Sequence, residues 1–229
     1  MPASPEIPDL NAFDLVIFDC DGVLIDSEII SNAVNAEHLT RLGYEISTEE
    51  VIRRYTGCPI KEMLAEIEAD LGKPLPDYFL PGADAEIERR YLDELKPIDG
   101  ITAVLDAIRK PKCVASSTYM KKLRWSLELT DLIDRLDPHI FSASQVKRGK
   151  PAPDLFLFAA ARMGAEPQHC IVIEDSVAGV QAGVSAGMPV IGFTGGGHTY
   201  PGHRERLLEA GADCVFNSMK DLATQLNAA

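Results

Sequence analysis

Short, nearly unbroken apolar runs recur along the chain at Leu15–Phe18, Cys113–Ala115, Ile171–Ile173, Val190–Phe193 and Cys214–Phe216. None alternates with polar residues, and such runs suit strands buried on both faces of a parallel sheet. Between them the apolar period lengthens. Ile101, Val104, Leu105 and Ile108 follow a three-four spacing, as do Leu155, Phe158, Ala159 and, less cleanly, Met163. That spacing predicts amphipathic helices. A Gly-bearing helical stretch, Val177–Ala186, follows the third run. Strand and helix in alternation predict an α/β fold with a doubly wound, Rossmann-like parallel sheet.

One segment departs from this rhythm. From Asp26 to about Lys96 no strand pattern emerges, only helical stretches punctuated by Gly43, Gly57–Pro59, Gly72–Pro76 and Pro81–Gly82. The first helix is expected to begin at Asp26 or Ser27, with Ile30, Ala33 and Val34 on one face. Roughly seventy residues is too long for an ordinary strand-to-helix loop. The reading is therefore an α/β core of residues 1–25 and 97–229 carrying an inserted helical domain at 26–96, with joints near Ile25–Asp26 and Leu95–Pro97.

A length of 229 residues suits one core domain with a sizeable insertion. The 22 basic and 35 acidic residues leave a formal charge of −13, which disfavours nucleic acid or an anionic membrane as partner, since both need a basic face. A small anion could still bind in a local cationic pocket. No apolar run approaches the roughly 18 residues of a membrane span, and Met1–Asn11 has neither the basic nor the apolar part of a secretory signal. Five cysteines, Cys20, Cys58, Cys113, Cys170 and Cys214, include no CxxC pair. A disulfide framework or zinc site is not expected, and a cytoplasmic location is.

Carboxylates gather at the ends of two strands. The first run leads into Asp19-Cys20-Asp21-Gly22, where residues i and i+2 of a strand share a side and Gly22 permits close backbone approach. In parallel sheets ligands bind beyond the carboxyl ends of the strands. Taken alone, Asp-Gly is also an ordinary turn. The run Ile171–Ile173 ends in Glu174-Asp175-Ser176, so four acids would crowd one crevice. Such crowding calls for a cation, and oxygen ligands of this kind suit Mg²⁺; a helix cap is the simpler role for Ser176. Ser116-Ser117-Thr118 could cradle a phosphate at a helix start, although hydroxyl residues are common caps. In Lys147–Asp154, the densest basic run, Pro151 and Pro153 restrict the backbone and would aim Lys150; a solvated loop is the alternative. Trp125 reads as packing, and Gly195–His198 as a flexible loop.

The order Asp-x-Asp-Gly, Ser, Lys-Pro, Glu-Asp resembles the haloacid dehalogenase-like hydrolases, in the subfamily with a helical cap inserted after the first motif. The four motifs, Asp19–Leu24, Ser116, Lys150–Asp154 and Glu174–Gly179, span most of the chain. The resemblance implies Asp19 as a nucleophile forming an aspartyl-phosphate and Asp21 as general acid and base. It implies Mg²⁺ held by the Asp19 carboxylate, the Asp21 carbonyl and Asp175, with Glu174 as ligand or support. Gly22, Ser116, Ser117, Lys150 and, in the cap, Gly57 would meet phosphate or substrate; Ser116 and Lys150 also count among the catalytic residues.

Departures within the family narrow the activity. A metal-free dehalogenase usually lacks the second Asp, which is present here as Asp21. Ser31 and Thr56 stand where the related beta-phosphoglucomutases carry a cap His and a cap Lys, and Lys61 is too isolated to be the Schiff-base lysine of a phosphonate hydrolase. The implied activity is hydrolysis of a small sugar or sugar-acid phosphate, 6-phosphogluconate first and phosphoglycolate next. The alternatives are a sugar phosphomutase and, from another class, a non-catalytic phospho-receiver or phosphate-binding protein. Substrate contacts in the cap are placed at Arg53, Arg54, Gly57 and Lys61 by position alone. The expected partner is a small phosphorylated metabolite, and the expected state a monomer or small homo-oligomer.

Overall fold

The computed structural model describes residues 13–56, 58 and 60–227. Six parallel strands form one sheet in the order β3-β2-β1-β4-β5-β6: β1 Leu15–Phe18, β2 Lys112–Ser116, β3 Ile140–Ser142, β4 Cys170–Glu174, β5 Val190–Phe193 and β6 Cys214–Phe216. All five predicted runs are strands. The edge strand β3 escapes the hydrophobic pattern because only Ile140 and Phe141 carry it, and two apolar residues make no run.

Helices cover both faces. Phe18, Val16, Val114, Ile171 and Ile173 point into one apolar layer, packed by α5 (Ile101–Ala107), α6 (Met120–Leu129) and α11 (Met219–Asn227). Leu15, Ile17, Cys113 and Val172 face the other, packed by α8 (Asp154–Met163), α9 (Val177–Ser185) and α10 (His203–Glu209). Every residue of β1 and β4 is buried. A central strand covered on both sides cannot alternate, which is why its sequence does not.

Between β1 and α5 come four helices, α1 (Glu28–Arg41), α2 (Thr48–Tyr55), α3 (Ile60–Leu71) and α4 (Phe79–Glu94). Some of their buried side chains, among them Leu39, Val51, Ile67 and Phe79, form a separate apolar cluster, while Ile30, Val34, Ala83, Ile87 and Tyr91 join the core layer that contains Phe18. The chain leaves and re-enters the core at one place: Ile25 bridges Pro97, and Asp26 N donates to Lys96 O at 2.9 Å. Ser27 precedes α1 but caps nothing with its side chain, because that hydroxyl is engaged elsewhere.

Candidate active site

Because β1 pairs with both β2 and β4, the carboxyl ends of these three strands converge. Asp19 continues β1, its N–H donating to Ile173 O at 2.9 Å. The chain then turns so tightly that Leu24 N donates back to Cys20 O at 2.8 Å. Gly22 makes the turn at φ +79°, and a Cβ there would lie 1.9 Å from Asp175 Oδ2. Only glycine satisfies both the backbone and the space.

Lys150 joins the two acidic segments. Its Nζ lies 2.5 Å from Asp19 Oδ1 and 2.6 Å from Glu174 Oε1, with all three side chains nearly inaccessible. The other oxygen of Glu174 accepts from Ser176 N at 2.8 Å and Ser176 Oγ at 2.9 Å, while Ser176 Oγ caps α9 by accepting from Gly179 N at 3.0 Å. Asp19, Glu174 and Asp175 bring carboxylate oxygens within 4.8 Å of one another. Burial pushes the Asp19 carboxyl well above its ordinary range; Lys150 opposes the shift, and Glu174, Asp175 and Asp21 add to it. Burial works against the Lys150 ammonium, yet Asp19 and Glu174 outweigh it and hold the group above its ordinary range. One ammonium among this many acids leaves an excess of negative charge. The three buried, oxygen-only donors fit a hard divalent cation.

Asp21 is held apart from that triad. Its Oδ1 accepts from Ser27 Oγ at 2.7 Å, and its Oδ2 from Thr118 Oγ1 at 2.8 Å and Ser116 Oγ at 3.2 Å. Its side chain is therefore no member of the metal-fitting group. Ser116 is fully buried and faces Asp21, whereas Ser117 and Thr118 reach the wall of a cleft of about 480 Å³ that also exposes Asp19, Asp21 and Lys150. The Ser116 hydroxyl is thus turned toward the acid.

His198 is not a loop residue free in solvent. It is fully buried, with Nε2 2.9 Å from Asp175 Oδ2. Burial lowers its affinity for a proton, but Asp175 more than offsets this and brings His198 to about 8. His203 touches the same residue, its Nε2 2.7 Å from the Asp175 carbonyl. The Gly195-Gly196-Gly197 run earns its place here: a Cβ on Gly196 would approach the His198 ring to 2.8 Å, and Gly197 N donates to Asp26 Oδ1 at 2.8 Å.

The cleft's other wall comes from the inserted helices, and there the positional guesses do not hold. Arg54 pairs with Glu66 at 2.6 Å and Asp70 at 3.2 Å, tying α2 to α3. Among the described residues Arg53 reaches only Glu50, at 4.0 Å, and neither it nor Lys61 is among the described residues lining the cleft. Gly57 lies outside the described residues. The wall instead carries Glu28, Ser31, Asn32 and Asn35, one face of α1, with Thr56 and Tyr91. Their spacing of three and four was legible as a polar stripe, but a polar stripe usually marks a solvated face.

A family model described as haloacid dehalogenase-like hydrolase matches residues 13–187. The chain is 33% identical over 193 residues to 6-phosphogluconate phosphatase of Escherichia coli (strain K12), covering 84% of this chain and 87% of that protein. It is 31% identical over 211 residues to hexitol phosphatase A of the same organism, covering 90% and 91%. Among solved structures it is similar to a conserved haloacid dehalogenase-like protein of Agrobacterium tumefaciens str. C58, at 42% identity and a TM-score of 0.89, over 94% of this chain and 98% of that one.

Proposed function

The chain belongs to the haloacid dehalogenase-like hydrolases and is a phosphomonoester hydrolase, and we propose that it releases phosphate from a small sugar phosphate through a phosphorylated Asp19. The observation that carries the reading is the Lys150–Asp19 contact of 2.5 Å at the floor of an open cleft. The ammonium opposes the effect of burial on this carboxylate and fixes it in one orientation, as a nucleophile requires. Two residues on, Asp21 is aimed by three hydroxyls and is placed to protonate the leaving alcohol and then take a proton from the attacking water. The exposed Ser117 and the Thr118 region offer donors to phosphoryl oxygens.

Asp19, Asp175 and Glu174 would hold Mg²⁺, with the Asp21 carbonyl completing the set. When bound, it would neutralise phosphoryl charge and polarise the ester. Glu174 divides its oxygens between Lys150 and Ser176, which favours it as the group that orients Lys150. Residues 26–96 are read as the cap over this floor. Cysteines without a CxxC pair support a cytoplasmic location, and no described helix is long and apolar enough to cross a membrane.

Hydrolysis is favoured over phosphoryl return because the cap offers no imidazole or ammonium at Ser31 or Thr56. Ser31 Oγ meets only the Tyr91 hydroxyl, at 3.3 Å. The deciding assay follows free phosphate and isomerised ester side by side for several hexose phosphates with Mg²⁺. Phosphate is expected to dominate throughout; faster accumulation of isomerised ester on any substrate replaces the phosphatase reading with a mutase.

A further inference from the structure

The cap wall of the cleft joins hydrogen-bonding groups to the apolar Ile60 and Met63 and carries no cation among the described residues. Glu28, Asn32 and Asn35 lie on one face of α1. The Asn32 amide donates to Glu28 O at 2.7 Å and to Glu28 Oε2 at 3.3 Å, which leaves the second carboxylate oxygen of Glu28 without a hydrogen bond among the described residues. Asn35 takes part in none of the described hydrogen bonds. The Thr56 hydroxyl, on the same wall, is buried without a partner among the described residues. A wall of unfilled acceptors and donors calls for a ligand that supplies hydroxyls.

The charges on the cleft point the same way. Lys150 is already bound between Asp19 and Glu174. Lys122 is the remaining cation among the described lining residues, its Nζ 5.3 Å from the centre of the Tyr91 ring. Arg53, Arg54 and Lys61 are turned elsewhere or stand off the wall. Against this stand five acids, Asp19, Asp21, Glu28, Glu174 and Asp175. Burial and the nearby Asp21 already push the Glu28 carboxyl up to about 7. A phosphate is welcome at the floor, where Lys150 and a divalent cation receive it. A second anionic group, held one sugar length away, would meet Glu28 and the amides instead, and like charges in a partly desolvated site oppose binding.

We propose that the cleft selects neutral, hydroxyl-rich phosphate esters over esters carrying a carboxylate, with Glu28, Asn32 and Asn35 as the specificity-determining side chains. The inference rests on the phosphatase reading and adds the class of substrate. It runs against the sugar-acid phosphate that the resemblance puts first, and it sides with a polyol or neutral sugar phosphate.

The test is a matched pair. Glucitol 6-phosphate and 6-phosphogluconate differ only in whether the far end is a hydroxymethyl or a carboxylate. With the full chain and Mg²⁺ at pH 8, kcat/KM is expected to favour glucitol 6-phosphate at least tenfold. Glu28→Gln is expected to narrow that ratio severalfold, mainly through a lower KM for 6-phosphogluconate, an effect that a general loss of structure would not produce. Asn35→Asp adds an anion to the same wall and is expected to widen the ratio, so the proposal stays testable if the first variant does not fold. Equal or better turnover of 6-phosphogluconate by the unmodified chain overturns the proposal while leaving the phosphatase reading intact. A neutral preference that neither variant changes overturns the assignment to Glu28 and Asn35. If neither ester nor p-nitrophenyl phosphate releases phosphate, the underlying reading fails, and the inference with it.

Discussion

The floor and the cap wall of the cleft are built on opposite plans. On the floor the charged groups are tied to one another and to hydroxyls: Lys150 spans Asp19 and Glu174, Glu174 also binds Ser176, and three hydroxyls hold Asp21. On the wall, Asn35 and Thr56 have no protein partner among the described residues, and Glu28 has only Asn32. A floor whose acids are each anchored by Lys150, a hydroxyl or an N–H holds geometry, which is what transition-state stabilisation needs. A wall that leaves its groups unfilled spends nothing on internal order and discriminates through what comes to fill it. On the proposed reading, chemistry and selectivity lie in two elements that can vary separately.

The largest effect should come from the floor. Asp19→Asn is expected to lose turnover to the detection limit with an unchanged circular dichroism spectrum, because a neutral amide cannot attack phosphorus. Asp21→Asn should cost about 10²- to 10⁴-fold in kcat. Near-normal turnover in a folded Asp19→Asn protein would break the covalent reading and, with it, the division between floor and wall.

Next comes the cation. Chelation with EDTA is expected to stop phosphate release and Mg²⁺ to restore it, while Asp175→Ala raises the Mg²⁺ concentration needed, measured by titrating activity and by calorimetric binding. Full activity after exhaustive chelation contradicts the assignment of Asp19, Glu174 and Asp175.

Two glycines sharpen the contrast in stability. Gly22→Ala meets both a φ of +79° and Asp175 Oδ2 at 1.9 Å, so urea unfolding should show a loss of about 2–5 kcal/mol. Gly43, at the end of α1, has a φ of +91° but nothing within 4 Å of its would-be Cβ. Gly43→Ala should cost only the backbone strain, about 1–2 kcal/mol, with turnover kept. Equal costs would mean that the floor is no more tightly packed than the cap.

The smallest effect is the charge on the wall. Burial first, and Asp21 second, raise the Glu28 carboxyl from 4.5 to about 7. A carboxyl raised on folding leaves stability intact below its unfolded value and withdraws it as pH rises through the folded one. The stability difference between Glu28→Gln and the unmodified chain should therefore be near zero at pH 4.5. It should favour the variant by on the order of 1–3 kcal/mol at pH 8. A difference independent of pH would show that Glu28 carries no strained charge.

Much of the floor was legible before any coordinates. Asp19, Asp21, Glu174 and Asp175 each follow an apolar run within one to three residues, and the ends of parallel strands converge by construction. The succession of helices between β1 and α5 showed itself by the absence of strand patterns between Asp26 and Lys96. Ser116 was legible as a residue but not as a neighbour: only the pairing of β1 with β2 puts its hydroxyl on Asp21. The edge strand β3 was too short to leave a pattern. Arg53 and Arg54 looked like substrate contacts because charge and position were all that could be read, and α3, carrying Glu66 and Asp70, had no visible relation to them.

Sequence by itself determined the alternation of strand and helix, the ends of the strands and the acids placed there, because each of these is written within a few consecutive residues. Tertiary structure alone decided that His198 lies buried against Asp175, that Arg54 is spent on α3, and that Glu28, Asn32, Asn35 and Thr56 share one wall. The physical reason is separation along the chain. A side chain's partner is set by how helices and loops far apart in sequence pack, and no local period or motif records which of a residue's faces will be closed by a neighbour and which will be left open to a ligand.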